Sequence, residues 1–448
     1  MVLLRQMMHT SRIVLPSSAC TTYLRITASL HREAKHHSPA NKVCHSFGDS
    51  VEILGKSYPT DHFTNATPTI VSKIGRNLHN KEHHPLHLIY KRIESFFHKS
   101  YLRRGNPIFS AYSNLSPVVT HEQNFDSLLV PQNHVSRLPS DTYYINSEYM
   151  LRAHTSAHQR DLVRSGLDAF IVAGDVYRRD AIDATHYPVF HQMEGVRLFS
   201  DFELFNKVSD LSGVSLFEDG RRDNTRQETH SLETSKLVEH DLKVCLEALM
   251  RCLFGEDLNM RWVDAYFPFT HPSWELEIYH QEEWVEMLGC GVMEQKLLDS
   301  AGATNKVGWA FGLGLERLAM KLFSIPDIRL FWSTDSGFLH QFEGKDFNDS
   351  IIYKPVSKYP QCVNDISFWI PEEFSPNDFY DLVRSVGGDL VEQVSLVDEF
   401  LHPKKKRMSH CYRIVYRHME KTLTQEEVNE VHQEIENLSA QNLGVEVR

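Results

Sequence analysis

Between residues 169 and 198 a strand-like run, a polar connection and a second strand-like run follow one another, and this stretch restricts the fold most. Residues 169–178 and 189–198 are rich in β-branched, aromatic and other apolar side chains, while 180–186 carries Asp, Thr and His. Strands joined by so short a connection pair as an antiparallel hairpin, because a parallel pair needs a crossover of a dozen residues or more. Three more strand-like segments, 261–270, 274–279 and 284–291, succeed one another without an intervening helix. A short strand at 308–311 then leads through a Gly-rich turn into a helix over 316–323.

Apolar spacing predicts further helices over 87–101, 154–169 and 234–254. Residues 109–126, broken by Pro117, read as extended. Hairpins outnumber crossovers, which favours an antiparallel sheet flanked by helices, an α+β class. A second unit begins near residue 353. Its order is strand (362–370), helix (377–386), strand (390–400), strand (409–416), helix (425–440), strand (444–448). That βαββαβ succession is the ferredoxin-like split unit.

No apolar run approaches the roughly 20 residues needed to span a bilayer. The seven cysteines are scattered without a CxxC pair, which argues against a disulfide framework and a cysteine zinc site. From Met1 to Arg32 there is no Asp or Glu, while Arg5, Arg12, Arg25 and Arg32 lie among Ser, Thr and Leu. This is the composition of a mitochondrial presequence, expected over residues 1–38 and set apart from the fold. The remainder divides into expected domains at 39–345 and 353–448. A net charge of −12 does not exclude a nucleic-acid partner, since only the contacting face must be basic.

Several residues invite chemistry. Alternation along 190–194 puts Phe190, Gln192 and Glu194 on one strand face and His191 and Met193 on the other. A face with a ring, an amide and a carboxylate is a poor core; it suits a ligand with a flat ring and an ammonium group, though solvated strand faces are also common. Arg178 on the preceding strand brings a permanent charge to the same floor. Arg317 falls in the first turn of a helix after Gly312-Leu313-Gly314, where a cation opposes the macrodipole unless it pairs with an acid or a bound phosphate. Phe267 and Phe269 share a strand face, as core or as the wall of an aromatic pocket. His154 and His158 stand at i and i+4, but the glutamate of HExxH and a third ligand are absent. Lys404-Lys405-Lys406-Arg407 is a basic loop between two strands of the C-terminal unit, a solvated turn or a phosphate contact.

Taken together, these segments resemble a known family. GDVYRRD with HYPVFHQMEG is similar to motif 2 of the class II aminoacyl-tRNA synthetases, and FGLGLERLAM to their motif 3. HTSAHQ, FPFTHP and WAFGLGLER in combination resemble the phenylalanyl-tRNA synthetases. VNDISFW, RSVGGDLVEQVSLVDEF and HCYRIVYRHMEKTLTQEEV resemble the anticodon-binding domain of their single-chain organellar branch.

The resemblance implies ATP-dependent activation of phenylalanine and its transfer to tRNA(Phe), by a monomer in the mitochondrial matrix, with Mg2+ accompanying ATP. Arg178 and Arg317 would act on the phosphates, Phe190 would stack on adenine, and Glu286 would contact ATP or Mg2+. The amino acid would be held by His154, Ser156, Gln192 and Glu194, with Ala157, His158, Gln159, Arg179, His186 and Met193 in the wider substrate set. Phe267 and Phe269 would embrace its ring and Ala310 would close the pocket at the para position. Lys404, Lys405, Lys406 and Arg407 would contact tRNA. Arg160 stands where an apolar or aromatic residue is expected. A non-catalytic tRNA-binding module has no need of this arginine and carboxylate set, and an adenylate-forming ligase without tRNA has no need of the C-terminal unit.

Overall fold

The structure is a computed structural model, and it describes residues 47–206, 214–333, 336–354, 359–403, 406–419 and 421–448. The presequence expected over residues 1–38 lies outside them, as do Lys404 and Lys405 of the basic loop.

The principal elements of the larger part are α1 (Pro85–Ser100), β1 (Ser110–Tyr112), β2 (Ala169–Tyr177), β3 (Val189–Phe199), α2 (Leu232–Phe254), β4 (Met260–Phe267), β5 (Thr270–His280), β6 (Glu283–Met293), β7 (Val307–Gly314) and α3 (Leu315–Phe323). The seven strands form one sheet in the order β4-β5-β6-β7-β3-β2-β1. Every pairing is antiparallel except β1 with β2. The expected α+β class and the hairpin of β2 and β3 are present.

Local sequence explains where the helices begin. His84 caps α1 by accepting from the Leu86 N–H, with Pro85 at the first helical position, where its missing N–H costs nothing. Ser231 caps α2 through the Thr234 N–H, and Gly255 ends that helix at φ +103°. Apolar faces of α1, α2 and α3 pack on one side of the sheet, where Trp309, Phe311 and Leu313 of β7 and Met193 of β3 are buried among them. The intervening residues of β7 face the other side.

Three expectations are corrected. Residues 109–126 are not extended throughout, because Thr120 and Gln123 form a capping box that starts a helical turn at His121–Asn124. Residues 154–169 are a 3-10 turn (Thr155–His158) running into a short helix (Gln159–Arg164), which stops at Gly166 with φ +90°. Gly312 and Gly314 do not make a turn: β7 runs straight through them, and α3 follows directly.

The C-terminal part contains β8 (Cys362–Trp369), α4 (Pro376–Gly387), β9 (Val391–Leu401), β10 (Met408–Tyr416), α5 (Gln425–Asn442) and β11 (Glu446–Val447). Its sheet has the order β9-β10-β8-β11, all antiparallel, as the ferredoxin-like reading expects. Phe368, Phe379, Tyr412 and Ile414 centre its core. The β2–β3 connection reaches into this core: Ile182 is buried there, and its carbonyl accepts from the Val394 N–H at 2.9 Å. Arg384 of α4 donates to the carbonyls of Asp180 and Ala181.

Candidate active site

On the face of the large sheet away from α1, α2 and α3 lies a cavity of about 420 Å³. Its floor is built from small residues. Gly289 and Gly291 on β6 pair across the ladder with Gly312 and Ala310 on β7, which pair in turn with Glu194 and Val196 on β3. The glycines let neighbouring groups lie directly against the sheet: a Cβ at 289, 291 or 312 would fall within 3 Å of Phe267, Thr270 or Gln192. Along one wall stand Phe190 and Gln192; along the other stand Phe267 and Phe269, whose rings stack with centroids 6.3 Å apart. Ala310 is 3% exposed at the bottom.

Two arginines mark one end. Arg178 donates from Nε to the Ala153 carbonyl at 2.8 Å and lies 5.2 Å from the centre of the Phe190 ring. Burial lowers the pKa of its guanidinium; Asp180 opposes the shift and neighbouring Arg317 adds to it. Arg317, half exposed, donates to the Glu286 carbonyl at 2.8 Å and sits 3.3 Å from its carboxylate. The sequence left a surface ion pair and a phosphate contact open for Arg317; its partner is an exposed carboxylate at the cavity rim. His186, also lining the cavity, pairs with Asp183 at 2.6 Å, and this hydrogen bond raises its pKa.

Behind the other end lies a buried carboxylate. Glu194 is fully buried and accepts from Ser156 Oγ at 2.5 Å and Gln159 Nε2 at 3.4 Å. Burial pushes its carboxyl up to about 7, against those two hydrogen bonds. Its second oxygen has no protein donor. Ser156 and Gln159 reach one side because residues three apart eclipse on a 3-10 turn. Gln192 accepts from the Thr155 N–H at 3.2 Å, tying this turn to β3. His154 lies beside the Phe269 ring, 6.2 Å between centroids, and burial lowers its pKa to about 3.

Five expected substrate residues do not line the cavity, Glu194 among them, buried behind Ser156 and Gln159. Met193 is fully buried on the opposite face of β3, as strand alternation requires. Ala157 packs in the core under the 3-10 turn. His158 turns back to Arg152, 3.0 Å away. Arg179 pairs with Asp378 at 2.9 Å and Asp381 at 2.5 Å, both on α4, so its charge is spent on the C-terminal part. Arg160 pairs with Glu122 away from the cavity. In the basic loop, Arg407 donates to Glu446 at 2.6 Å and lies over the Trp369 ring, which Arg448 also approaches at 4.9 Å.

Supporting groups escaped the sequence reading. Arg152 and Asp175 form a buried ion pair at 2.8 Å behind the site. Gly174 makes room for it, since a Cβ there would fall 2.0 Å from the guanidinium. Glu316 takes two hydrogen bonds from His191, one from its backbone N–H at 2.8 Å and one from Nδ1–H at 2.7 Å. No spacing signal links residues so far apart in the chain. The glycines at 289 and 291 carried a weak signal in their placement on a strand, where glycine often marks close approach.

An antiparallel sheet with a motif-like hairpin, a strand–helix arginine and a cavity between them defines a class II aminoacyl-tRNA synthetase core. The family described as "tRNA synthetases class II core domain (F)" matches residues 69–214 and 228–342, and "Ferredoxin-fold anticodon binding domain" matches 357–448. "Phenylalanine--tRNA ligase, mitochondrial" of Mus musculus is 60% identical over 90% of this chain and 89% of its own length. The "Probable phenylalanine--tRNA ligase, mitochondrial" of Drosophila melanogaster is 53% identical (89% and 92%), and the Saccharomyces cerevisiae mitochondrial enzyme 39% (89% and 95%). The chain belongs to the phenylalanine–tRNA ligase family, in its mitochondrial branch.

Proposed function

We infer that this chain activates phenylalanine with ATP and transfers it to tRNA(Phe) for mitochondrial translation, acting as a monomer in the matrix. One observation carries the reading: a single cavity is lined by two arginines, by a serine hydroxyl and a glutamine amide that hold the buried Glu194 carboxylate behind them, and by a pair of stacked phenylalanine rings.

The amino acid's ammonium group lies toward Glu194, with Ser156, Gln159 and Gln192 completing its polar shell and His154 beside it. Its ring enters the slot between Phe267, Phe269 and Ala310. Adenine stacks on Phe190. The amino-acid carboxylate attacks the α-phosphorus in line, a P–O bond forms, and pyrophosphate leaves. No general base is required, so positioning and positive charge supply the rate. Arg178 bears on the attacked phosphate and Arg317 on the far phosphates. His186, which lines the same cavity, supports the triphosphate.

Mg2+ fits the carboxylates beside Arg317. Glu275 has its pKa raised by burial and by Glu286 and Glu277, so negative charge is crowded there, and carboxylate oxygens with phosphates are the donors Mg2+ takes. Glu286 would hold it, and when bound it neutralises charge on the departing pyrophosphate. Tyrosine is rejected because its hydroxyl would meet Ala310 without a hydrogen-bond partner, at a cost of about 1–3 kcal/mol. The loop at residues 404–407, with Lys404, Lys405, Lys406 and Arg407, contacts tRNA phosphates.

Charging of mitochondrial tRNA with labelled phenylalanine tests the whole reaction. Acid-precipitable label on tRNA(Phe) and on no other acceptor is expected. Charging with another amino acid in its place would overturn the reading.

A further inference from the structure

Gly289, Gly291 and Gly312, none of them at a positive φ, lie at or beneath the cavity floor, and they are not equivalent. A Cβ at Gly291 would strike the Pro272 carbonyl oxygen at 2.6 Å, a collision with backbone that the sheet itself must absorb. At Gly312 it would meet the Gln192 amide nitrogen at 2.9 Å, the end of a flexible side chain. At Gly289 the three nearest atoms all belong to the Phe267 ring, at 2.6, 3.1 and 3.5 Å.

The ring therefore rests directly on the backbone of β6, in the space a side chain at 289 would fill. Phe269 stacks beside it, and Phe269 is itself in contact with His154. A methyl group at 289 lifts the Phe267 ring off the floor and toward the cavity, narrowing the slot that Ala310 closes at its far end.

We propose that Gly289 is a specificity-determining residue: by leaving Phe267 seated on the sheet, it sets the width of the slot for a flat aromatic side chain. This inference rests on the phenylalanine reading given above. Ala310 limits the slot in length and Gly289 limits it in width, so the two act on different substrate shapes. A para substituent is sensed by the first, and ring thickness by the second.

ATP–pyrophosphate exchange on the full chain tests it in a double-mutant cycle with Gly289→Ala and Phe267→Leu. Gly289→Ala is expected to lower kcat/KM for phenylalanine about tenfold or more through the KM for phenylalanine, with the KM for ATP within about twofold. In the Phe267→Leu background the same alanine is expected to cost less than about twofold, since the smaller side chain leaves room for it. Thermal unfolding of each variant distinguishes a narrowed slot from a lost fold. An equal cost of Gly289→Ala in both backgrounds, with the native chain active on phenylalanine, overturns the inference alone. A native chain that does not exchange with phenylalanine overturns the underlying reading and this inference with it.

Discussion

Glu194 carries a conflict that the pH dependence of the reaction should expose. Burial pushes its carboxyl up to about 7, yet it must be ionised to pair with an ammonium group. A proton therefore competes with the substrate: as pH falls through 7, Glu194 binds the proton and the attraction is lost. In the exchange reaction, kcat/KM for phenylalanine should drop about tenfold for each unit below that pKa. Glu194→Gln should be slow throughout and lack this titration. A profile flat from pH 8 down to 5.5 in the native chain would show that Glu194 does not meet the ammonium group. At Ala310, truncation to glycine lengthens the slot, and relative kcat/KM for para-substituted phenylalanines should rise. Unchanged selectivity between those analogues and phenylalanine would remove Ala310 from the pocket end.

Elements matter through how they are tied together. His191 hangs behind the strand that presents Phe190 and Gln192, and Glu316 opens the helix that presents Arg317. Their paired hydrogen bonds clamp β3 to α3 and so hold Phe190 and Arg317 in a fixed relation across the cavity. Hydrogen bonds to a charged group contribute about 1.5–3 kcal/mol each. Glu316→Ala should lower stability in urea by an amount of that order and raise the KM for ATP more than that for phenylalanine. Glu316→Gln, which can keep both contacts if the imidazole changes tautomer, should stay near the native values. Equal KM increases for both substrates would mean that the clamp supports the fold only.

The hairpin of β2 and β3 was legible because alternation and a polar connection are local signals. The succession of β4, β5 and β6 was legible for the same reason. What could not be read were features set by distant neighbours. Gly312-Leu313-Gly314 looks like a turn in isolation, but β3 and β6 on either side hold it extended. The direction of Arg179 was equally hidden, since its carboxylates at Asp378 and Asp381 lie some 200 residues away. The pocket residues on β3 followed from period-two alternation, whereas Met193 fell to the far face by that same rule.

At the scale of the whole molecule, the β2–β3 connection is where the two sheets meet. Arg179 is 6% exposed, with Tyr143 also donating to Asp381 at 2.7 Å. Breaking a buried ion pair by removing one partner costs about 3–5 kcal/mol. Arg179→Ala should therefore raise hydrogen exchange in α4 and leave the KM values for phenylalanine and ATP within about twofold of native. A large rise in KM for phenylalanine, with α4 unchanged, would restore Arg179 to the substrate site. The chain's net charge of −12 makes local basic patches matter for tRNA. Neutralising Lys404, Lys405, Lys406 and Arg407 should raise the KM for tRNA, weaken its salt dependence and leave adenylate formation unchanged.

The most direct measurement is ATP–pyrophosphate exchange with each amino acid in turn, on the chain without its first 38 residues. We expect exchange with phenylalanine, and much less with tyrosine. No exchange with any amino acid, from protein shown to be folded, would contradict the claim that this cavity forms phenylalanyl-adenylate.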